Sequence, residues 1–299
     1  MELFHTRQVL RTTILLLAAA FLTACTSPLP ASIPMPTVEI STPTAVITAT
    51  PTQTIPTPQA GSCSETKGTL QETMLSASML KYPLDVKIYL PPCYAADKTL
   101  SFPVLYMLHG MTDTNEQWIR LGITEIADRL ISGKIIQPLI IVMPNEDNWQ
   151  LTPEQSGFGK AIIDVLIPWV ENNFDVCTGR ACRAIGGLSR GGNWAVKIGF
   201  ENWQKFIAVG AHSTPLFYGE ILRIGEAVKT MPTVSDAPAV YVDVGKKDEN
   251  LSAVLDFEKA LTDLQIAHDY HLNTGYHDES YWRSHVEEYL LWYASQLRK

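Results

Sequence analysis

Short apolar runs alternate with stretches of helical periodicity through most of the chain. Almost wholly apolar runs between polar or glycine-rich segments predict buried strands at 104–108, 139–143, 183–185, 206–210 and 240–244. The run at 86–90 alternates apolar and polar positions, which predicts a strand covered on one face only. A last strand is predicted over 267–272.

Between these runs, apolar residues recur at helical spacing. Helices are predicted near 124–133, 158–174, 192–202, 217–228, 252–265 and 280–297. Strands and helices in regular alternation predict an α/β domain with a mostly parallel sheet covered by helices on both faces. In such sheets the functional residues gather at the carboxyl ends of the strands, so the segments that follow each strand are where chemistry is expected.

The first 25 residues have a different pattern. Arg7 and Arg11 precede an apolar run at 14–22 that is too short to span a bilayer and suits a secretory signal. The run ends in Leu22-Thr23-Ala24-Cys25, which resembles the lipobox of bacterial lipoproteins. This resemblance implies lipidation of Cys25 and an exported protein tethered to the outer face of a bacterial membrane. An ordinary signal peptide with an incidental cysteine is the alternative.

Residues 26–62 have the composition of a linker. Seventeen of these 37 residues are Pro or Thr, and Glu39 is the only charge. Such a segment cannot bury a core and is predicted to be disordered. No second break in composition follows, so residues 63–299 are predicted to form one domain.

Charge and cysteine content restrict the partners and the compartment. The formal net charge of −8 argues against nucleic acid or anionic lipid as a partner, so the membrane is expected to be contacted through the anchor alone. Four cysteines follow Cys25, and an oxidising compartment favours disulfides. Cys177 and Cys182 are close enough for a local bridge, which leaves Cys63 for Cys93. Free buried thiols are the alternative.

The segment Gly187-Leu188-Ser189-Arg190-Gly191 fits the Gly-x-Ser-x-Gly nucleophile elbow. An apolar run precedes the motif and a helical pattern follows it, which is the strand–turn–helix context that the motif requires. The sequence therefore predicts Ser189 as a nucleophile. The alternative is a glycine-rich turn whose serine only caps a helix.

A serine nucleophile needs a base and an acid that orients the base. In folds that carry the serine on such an elbow, the acid follows the serine in the sequence and the histidine base follows the acid. Asp248 follows the strand at 240–244 and is the predicted acid. Asp243 is the rival, but it lies within the strand, where local hydrogen bonds are expected. His277 lies between the last strand and the last helix and is the predicted base, whereas His285 falls inside that helix.

Two backbone N–H groups are expected to stabilise the oxyanion. Arg190, directly after the serine, supplies one, and Met111, after the strand at 104–108, supplies the other. Gly110 lets the backbone approach the site, and a structural role is expected for the His109 side chain. No metal or other cofactor is expected, since the chain has no His-Glu-x-x-His motif and no cysteine-rich ligand set.

Four segments in the same order and spacing, at 89–92, 105–110, 187–192 and 275–282, together resemble the esterase D and feruloyl-esterase-like family of α/β-hydrolases. The resemblance covers about residues 84–295. It implies an α/β-hydrolase fold and a triad of Ser189, Asp248 and His277. The domain has no long insertion that would form a lid, so no large lid domain is expected. That family usually has methionine or a similar apolar residue after the nucleophile. Here the residue is Arg190, whose side chain either presents a positive charge near the substrate or pairs with an acid.

The resulting functional prediction is a serine carboxylic-ester hydrolase that forms an acyl-enzyme. Its expected substrate is a small-molecule or carbohydrate-linked ester, with feruloyl and acetyl esters as examples. Trp118, Trp149 and Trp282 either form an aromatic rim for such a substrate or belong to the core. Two alternatives stay open: an acyltransferase similar to the mycolyltransferases, and a catalytically inactive surface binding module on the same scaffold.

Overall fold

The structure is a computed structural model that describes residues 63–96 and 99–297. The signal segment, the predicted lipidation site Cys25 and the predicted linker 26–62 lie outside these residues. Among the described residues, no helix combines the length and the apolar character that crossing a membrane requires.

The described residues form an eight-stranded sheet. Its strands are β1 (Thr69–Leu75), β2 (Leu84–Leu90), β3 (Val104–Leu108), β4 (Ile140–Pro144), β5 (Arg183–Leu188), β6 (Ala208–His212), β7 (Ala239–Gly245) and β8 (His268–Asn273). Their order across the sheet is β1-β2-β4-β3-β5-β6-β7-β8. The pairs β1–β2 and β2–β4 are antiparallel, and the other five pairs are parallel. The predicted, mostly parallel α/β sheet is confirmed.

Helices occupy most of the connections. They are α1 (Gln117–Arg120), α2 (Ile123–Ser132), α3 (Pro153–Ser156), α4 (Phe158–Ala161), α5 (Ile167–Asn173), α6 (Arg190–Glu201), α7 (Glu220–Lys229), α8 (Leu251–Asp263) and α9 (Glu279–Gln296). The helix predicted at 158–174 is one continuous stretch in which a π-helical turn, Ile162–Leu166, joins α4 to α5.

The first strand, β1, is absent from the sequence prediction. Most of its residues are exposed, because it lies at the edge of the sheet, and its sequence therefore lacks an apolar run. Pairing with β1 places β2, the strand predicted as half-covered, inside the sheet, and side chains on both of its faces are buried. Lys87, its one basic residue, is buried between ion-pair partners Glu72 on β1 and Glu116. The prediction of one covered face was therefore wrong.

The core consists of two apolar layers, one on each face of the sheet. Alternate residues of a central strand enter different layers: Tyr106 packs into one cluster and Leu105 into the other, and both are fully buried. The second layer includes the inner face of α9, with Tyr289 and Tyr293. With both faces covered, the carboxyl ends of β3 to β8 form a rigid edge on which side chains can be placed with defined geometry.

Two disulfides link segments outside the sheet. Cys63 is bonded to Cys93, with Cα atoms 5.8 Å apart, and Cys177 is bonded to Cys182, with Cα atoms 5.7 Å apart. These are the pairs expected from the sequence. Because β1 precedes β2, the first bridge connects the start of the described chain to the turn after the second strand, not after the first.

Candidate active site

Ser189 occupies a sharp turn between β5 and α6. Its φ of 52° and ψ of −120° are unusual for a residue with a side chain, and such strain is typical of a nucleophile elbow. Its backbone N–H donates to the carbonyl oxygen of His212, 2.8 Å away, which ties the turn to β6. The turn leaves the serine half-buried at the edge of the sheet.

The glycines on either side make this turn possible. A Cβ atom at Gly187 would lie 2.3 Å from the carbonyl carbon of Gly191, and one at Gly191 would lie 2.2 Å from the carbonyl oxygen of Leu108. Backbone atoms cannot yield as a flexible side chain can, so any larger residue would open the turn.

His277 lies in the loop between β8 and α9 and bridges the other two predicted residues. Its Nε2 atom lies 2.9 Å from Ser189 Oγ, and its Nδ1 atom lies 3.0 Å from Asp248 Oδ2. Trp282 packs against the imidazole with the two rings nearly perpendicular and their centroids 5.0 Å apart. The side chain of His277 is 17% exposed, so the ring is held by its neighbours and remains partly accessible.

Asp248 lies in the turn after β7, with its carboxylate fully shielded from water. Burial raises the pKa of this carboxyl, but the hydrogen bonds from His277 and from the Asn250 backbone outweigh burial, and the pKa lies below its ordinary value. The carboxylate is therefore ionised at neutral pH and can orient the imidazole.

Asn250 was not singled out in the sequence. Its backbone N–H donates to Asp248 Oδ1 at 2.7 Å, and its side-chain amide lies 3.2 Å from His277 Nδ1. An asparagine two residues after an aspartate, in a turn that opens a helix, is the signal that points to this contact.

Asp243, the rival acid, has other partners. Its Oδ1 atom lies 2.7 Å from His212 Nδ1, and its Oδ2 atom accepts hydrogen bonds from the hydroxyls of Tyr281 at 2.6 Å and Tyr289 at 2.8 Å. The expectation of local hydrogen bonds was wrong, because these partners lie on β6 and α9, far along the chain. Every oxygen of the carboxylate is engaged, and none contacts His277.

This second histidine–aspartate pair lies in the core rather than at the surface. His212 is fully buried, stacks on Tyr289 with ring centroids 3.7 Å apart, and places its Nε2 atom 3.0 Å from the hydroxyl of Tyr293. Burial raises the pKa of both tyrosines well above the ordinary value, so they remain neutral donors. The network fastens α9 to β6 and β7, and α9 begins two residues after His277.

The loop after β3 passes directly beside the serine. A Cβ atom added to Gly110 would lie 3.7 Å from Ser189 Cβ and 2.9 Å from Leu188 Cδ1, so the Gly110–Met111 peptide borders the nucleophile. Arg190 is the first residue of α6, and the N–H groups of a first helical turn have no acceptor within the helix. The structure therefore brings the two segments that carry the predicted oxyanion donors next to Ser189, and their binding of an oxyanion stays a prediction.

The Arg190 side chain pairs with an acid, the second of the two alternatives open in the sequence. Its Nε and Nη2 atoms donate to the two carboxylate oxygens of Glu146 at 2.8 and 2.7 Å. The guanidinium also lies over the ring of Phe217, 5.3 Å from the centroid. Glu146 was missed in the sequence, although its position just after β4 places it at the functional edge of the sheet.

The remaining candidates divide between the core and the surface. Trp118 and Trp282 are buried, so they belong to the core rather than to a substrate rim, whereas Trp149 is half-buried. His285 pairs with Glu288 on α9, away from the triad. Two apolar side chains next to site residues in the sequence are exposed, namely Met111 after Gly110 and Tyr276 before His277.

A sheet of this order, with a serine elbow after β5, an acid after β7 and a histidine after β8, defines an α/β-hydrolase with a serine–aspartate–histidine arrangement. The profile of the family described as "Putative esterase" matches residues 76–293. The chain belongs to this family, which confirms the family predicted from the four sequence segments.

Relatives of known name agree with this membership. The chain is 33% identical over 137 residues to Esterase MT1326 of Mycobacterium tuberculosis, a match that covers 44% of this chain and 29% of that protein. It is 32% identical over 154 residues to the endo-1,4-beta-xylanase/feruloyl esterase of Xylanibacter ruminicola, a match that covers 48% of this chain and 21% of that protein. The chain thus spans less than a third of the length of these relatives.

A solved structure extends the likeness over the domain. A ferulic acid esterase superimposes with a TM-score of 0.69 at 25% sequence identity, and the match covers 77% of this chain and 100% of that structure. The predicted α/β-hydrolase fold is confirmed. No separate lid domain is present among residues 63–96 and 99–297.

Proposed function

We propose that this protein is a serine carboxylic-ester hydrolase that acts through an acyl-enzyme intermediate. The observation that carries the proposal is the position of His277, which lies within hydrogen-bonding distance of Ser189 on one side and of Asp248 on the other. Ester cleavage by a serine requires a base in contact with the nucleophile and an acid that orients the base, and His277 links Ser189 to Asp248 in this way.

In the first half-reaction, His277 Nε2 accepts the Ser189 hydroxyl proton while Oγ attacks the ester carbonyl carbon. The carbonyl oxygen becomes an oxyanion that accepts hydrogen bonds from the backbone N–H groups of Arg190 and Met111. Asp248 stabilises the imidazolium and keeps its Nδ1 proton directed toward the carboxylate. The C–O bond then breaks, the leaving alcohol takes the proton from Nε2, and Ser189 remains acylated.

In the second half-reaction, water replaces the alcohol. His277 removes a proton from the water, the hydroxide adds to the acyl carbonyl, and the same two N–H groups hold the oxyanion. Collapse of this intermediate returns the proton to Ser189 Oγ and releases the carboxylic acid. No cofactor takes part in this sequence of steps.

The proposed substrates are esters attached to carbohydrate, of the feruloyl or acetyl type. Two relatives carry the names feruloyl esterase and ferulic acid esterase, which supports the substrate class. The site is also open: Ser189 is half-buried, and the exposed side chains of Met111 and Tyr276 flank the catalytic loops. An open edge with apolar side chains suits an aromatic or acyl group carried by a bulky polymer.

We further propose that the enzyme works at the cell surface, held by a lipid on Cys25 and the Pro/Thr-rich linker over 26–62. The support is the lipobox-like segment and the Pro/Thr-rich composition. Metabolic labelling with palmitate tests this assignment: the wild-type chain should incorporate label, and the Cys25→Ser variant should not. Equal labelling of both would refute it.

The catalytic proposal is tested with Ser189→Ala. We expect this variant to fold normally and to lose cleavage of p-nitrophenyl acetate, methyl ferulate and acetylated xylan, together with labelling by a fluorophosphonate probe. Ser132→Ala is the control, because the Ser132 hydroxyl contacts only the Thr66 carbonyl among the described residues, far from the triad. Unchanged hydrolysis by Ser189→Ala, or a wild-type protein that the probe does not label, would contradict the proposal.

A further inference from the structure

Glu146 connects the carboxyl ends of three neighbouring strands. It follows β4, whereas His109 follows β3 and Arg190 follows β5. Because β3 lies between β4 and β5 in the sheet, Glu146 contacts a residue after the neighbouring strand β3 and reaches past it to a residue after β5. The two residues that it contacts belong to the two segments that supply the oxyanion donors.

The carboxylate of Glu146 binds Arg190 at the start of helix α6. It accepts two hydrogen bonds from the Arg190 guanidinium, at 2.8 and 2.7 Å, and the two side chains are only 4% and 13% exposed. A bidentate pair fixes direction as well as distance, which a single contact does not. Since Arg190 is the first residue of α6, this pair restrains the helical turn whose N–H faces the oxyanion.

The backbone of Glu146 contacts the loop after β3 through the side chain of His109. The Glu146 N–H donates to His109 Nε2 at 2.8 Å, so the ring carries its proton on Nδ1, which donates to the Gly110 carbonyl oxygen at 2.8 Å. That carbonyl and the Met111 N–H belong to one planar peptide unit. Fixing the direction of the oxygen therefore fixes the direction of the donor.

We propose that Glu146 is a positioning residue for the oxyanion hole, directing the Met111 donor through its backbone N–H and the Arg190 donor through its carboxylate. The inference rests on the proposed function, because these donors matter only if Ser189 forms a tetrahedral intermediate. Two donors stabilise one oxygen only when both point at it, and a misplacement of about 1 Å can cost about 10²-fold in rate.

The test is Glu146→Gln, which keeps the size of the side chain and the backbone N–H but turns one acceptor into a donor that faces the guanidinium. We expect kcat/KM for p-nitrophenyl acetate to fall about 10- to 100-fold through kcat, with KM changed less than about twofold, because the lost interaction acts in the transition state. Glu154→Gln is the control. It breaks a similar but exposed pair, with Arg223 at 3.0 Å, and should leave kcat unchanged.

A second variant covers the case in which Glu146→Gln does not fold. The double variant Glu146→Gln with Arg190→Met leaves no unpaired buried charge and fills the guanidinium volume with the residue typical of the family. We expect it to fold and to show a similar fall in kcat at constant KM. The backbone N–H at position 190 then has neither the guanidinium nor the carboxylate to direct it.

The outcomes separate the two proposals. If activity depends on Ser189 but both Glu146 variants keep kcat within about twofold of wild type, the positioning role is refuted and the esterase proposal stands. A rise in KM at constant kcat also refutes it, because it indicates a substrate contact. If Ser189→Ala keeps full activity, both proposals fail. A fall in kcat alone, with Glu154→Gln at wild-type rate, supports the positioning role.

Discussion

Two buried aspartates, Asp243 on β7 and Asp248 in the turn after it, should respond to the same substitution in opposite ways. Asp248→Asn should abolish most of the activity and leave the fold intact. Asp243→Asn should weaken the fold and leave the catalytic step largely intact in the molecules that remain folded. The structure assigns these different roles because Asp248 contacts His277, whereas Asp243 contacts His212 and two tyrosines.

The Asp248→Asn substitution changes the orientation and tautomer of the His277 imidazole. An asparagine amide presents a donor as readily as an acceptor, so His277 can take the tautomer that carries its proton on Nε2 and cannot accept the Ser189 proton. Loss of the orienting carboxylate in a serine triad costs about 10⁴-fold in kcat, which corresponds to about 5 kcal/mol of transition-state stabilisation. Asp248 keeps its backbone turn in this variant, so we expect only a small change in the free energy of unfolding.

The Asp243→Asn substitution breaks hydrogen bonds in the buried core. Its carboxylate is fully buried and accepts three hydrogen bonds, and an asparagine can accept fewer while placing an NH₂ group against tyrosine hydroxyls. Breaking such a network by changing one partner costs about 3–5 kcal/mol. The loss concerns the contacts that hold α9, so the variant should unfold at a lower urea concentration.

The assay pairs urea unfolding with initial rates, corrected for the folded fraction, on p-nitrophenyl acetate. The reasoning is refuted if Asp243→Asn loses as much corrected kcat as Asp248→Asn does. It is equally refuted if Asp248→Asn retains wild-type kcat, because the carboxylate beside His277 would then have no catalytic part.

Two further predictions concern stability. Burial lowers the pKa of His109, and this effect is larger than the opposite effects of the Gly110 carbonyl and nearby Glu146. The unfolded residue has a pKa of about 6.5, so at slightly acidic pH it is protonated while the folded ring stays neutral. The free energy of unfolding should therefore fall as the pH drops below about 6.5. Urea titrations at several pH values should show a weaker fall in His109→Gln, and an equal slope in both proteins would contradict this explanation. The Cys63–Cys93 disulfide spans 30 residues, so replacing both cysteines by serine should lower the free energy of unfolding by about 3–4 kcal/mol, and an unchanged urea midpoint in non-reducing buffer would count against that value.

Local sequence signals predicted three side chains that the structure brings together at one edge of the sheet. The glycine spacing around Ser189 encodes the turn, and the positions of Asp248 and His277 after predicted strands bring them to one edge of the sheet. The structure places these three side chains in contact. Their catalytic roles remain predictions for the assays above.

Other features gave no usable local signal. The edge strand β1 has mostly exposed residues, and a strand without an apolar face looks like a loop in the sequence. The residues next to Arg190 in the sequence also do not indicate which acid pairs with it, because Glu146 lies 44 residues away along the chain. Asp243 has no contact with His277, and its partners come from β6 and α9 and could not be predicted from its own strand.

The alternation of strands and helices after β1, the serine turn and the candidates for base and acid were determined by the sequence alone, because periodicity and turn chemistry depend on residues close together along the chain. The tertiary structure alone decided which charges and hydroxyls pair. It joined Arg190 to Glu146, buried Asp243 among tyrosines and covered both faces of β2. Such contacts depend on how distant segments pack, and a buried polar group takes whichever partner that packing brings within hydrogen-bonding distance.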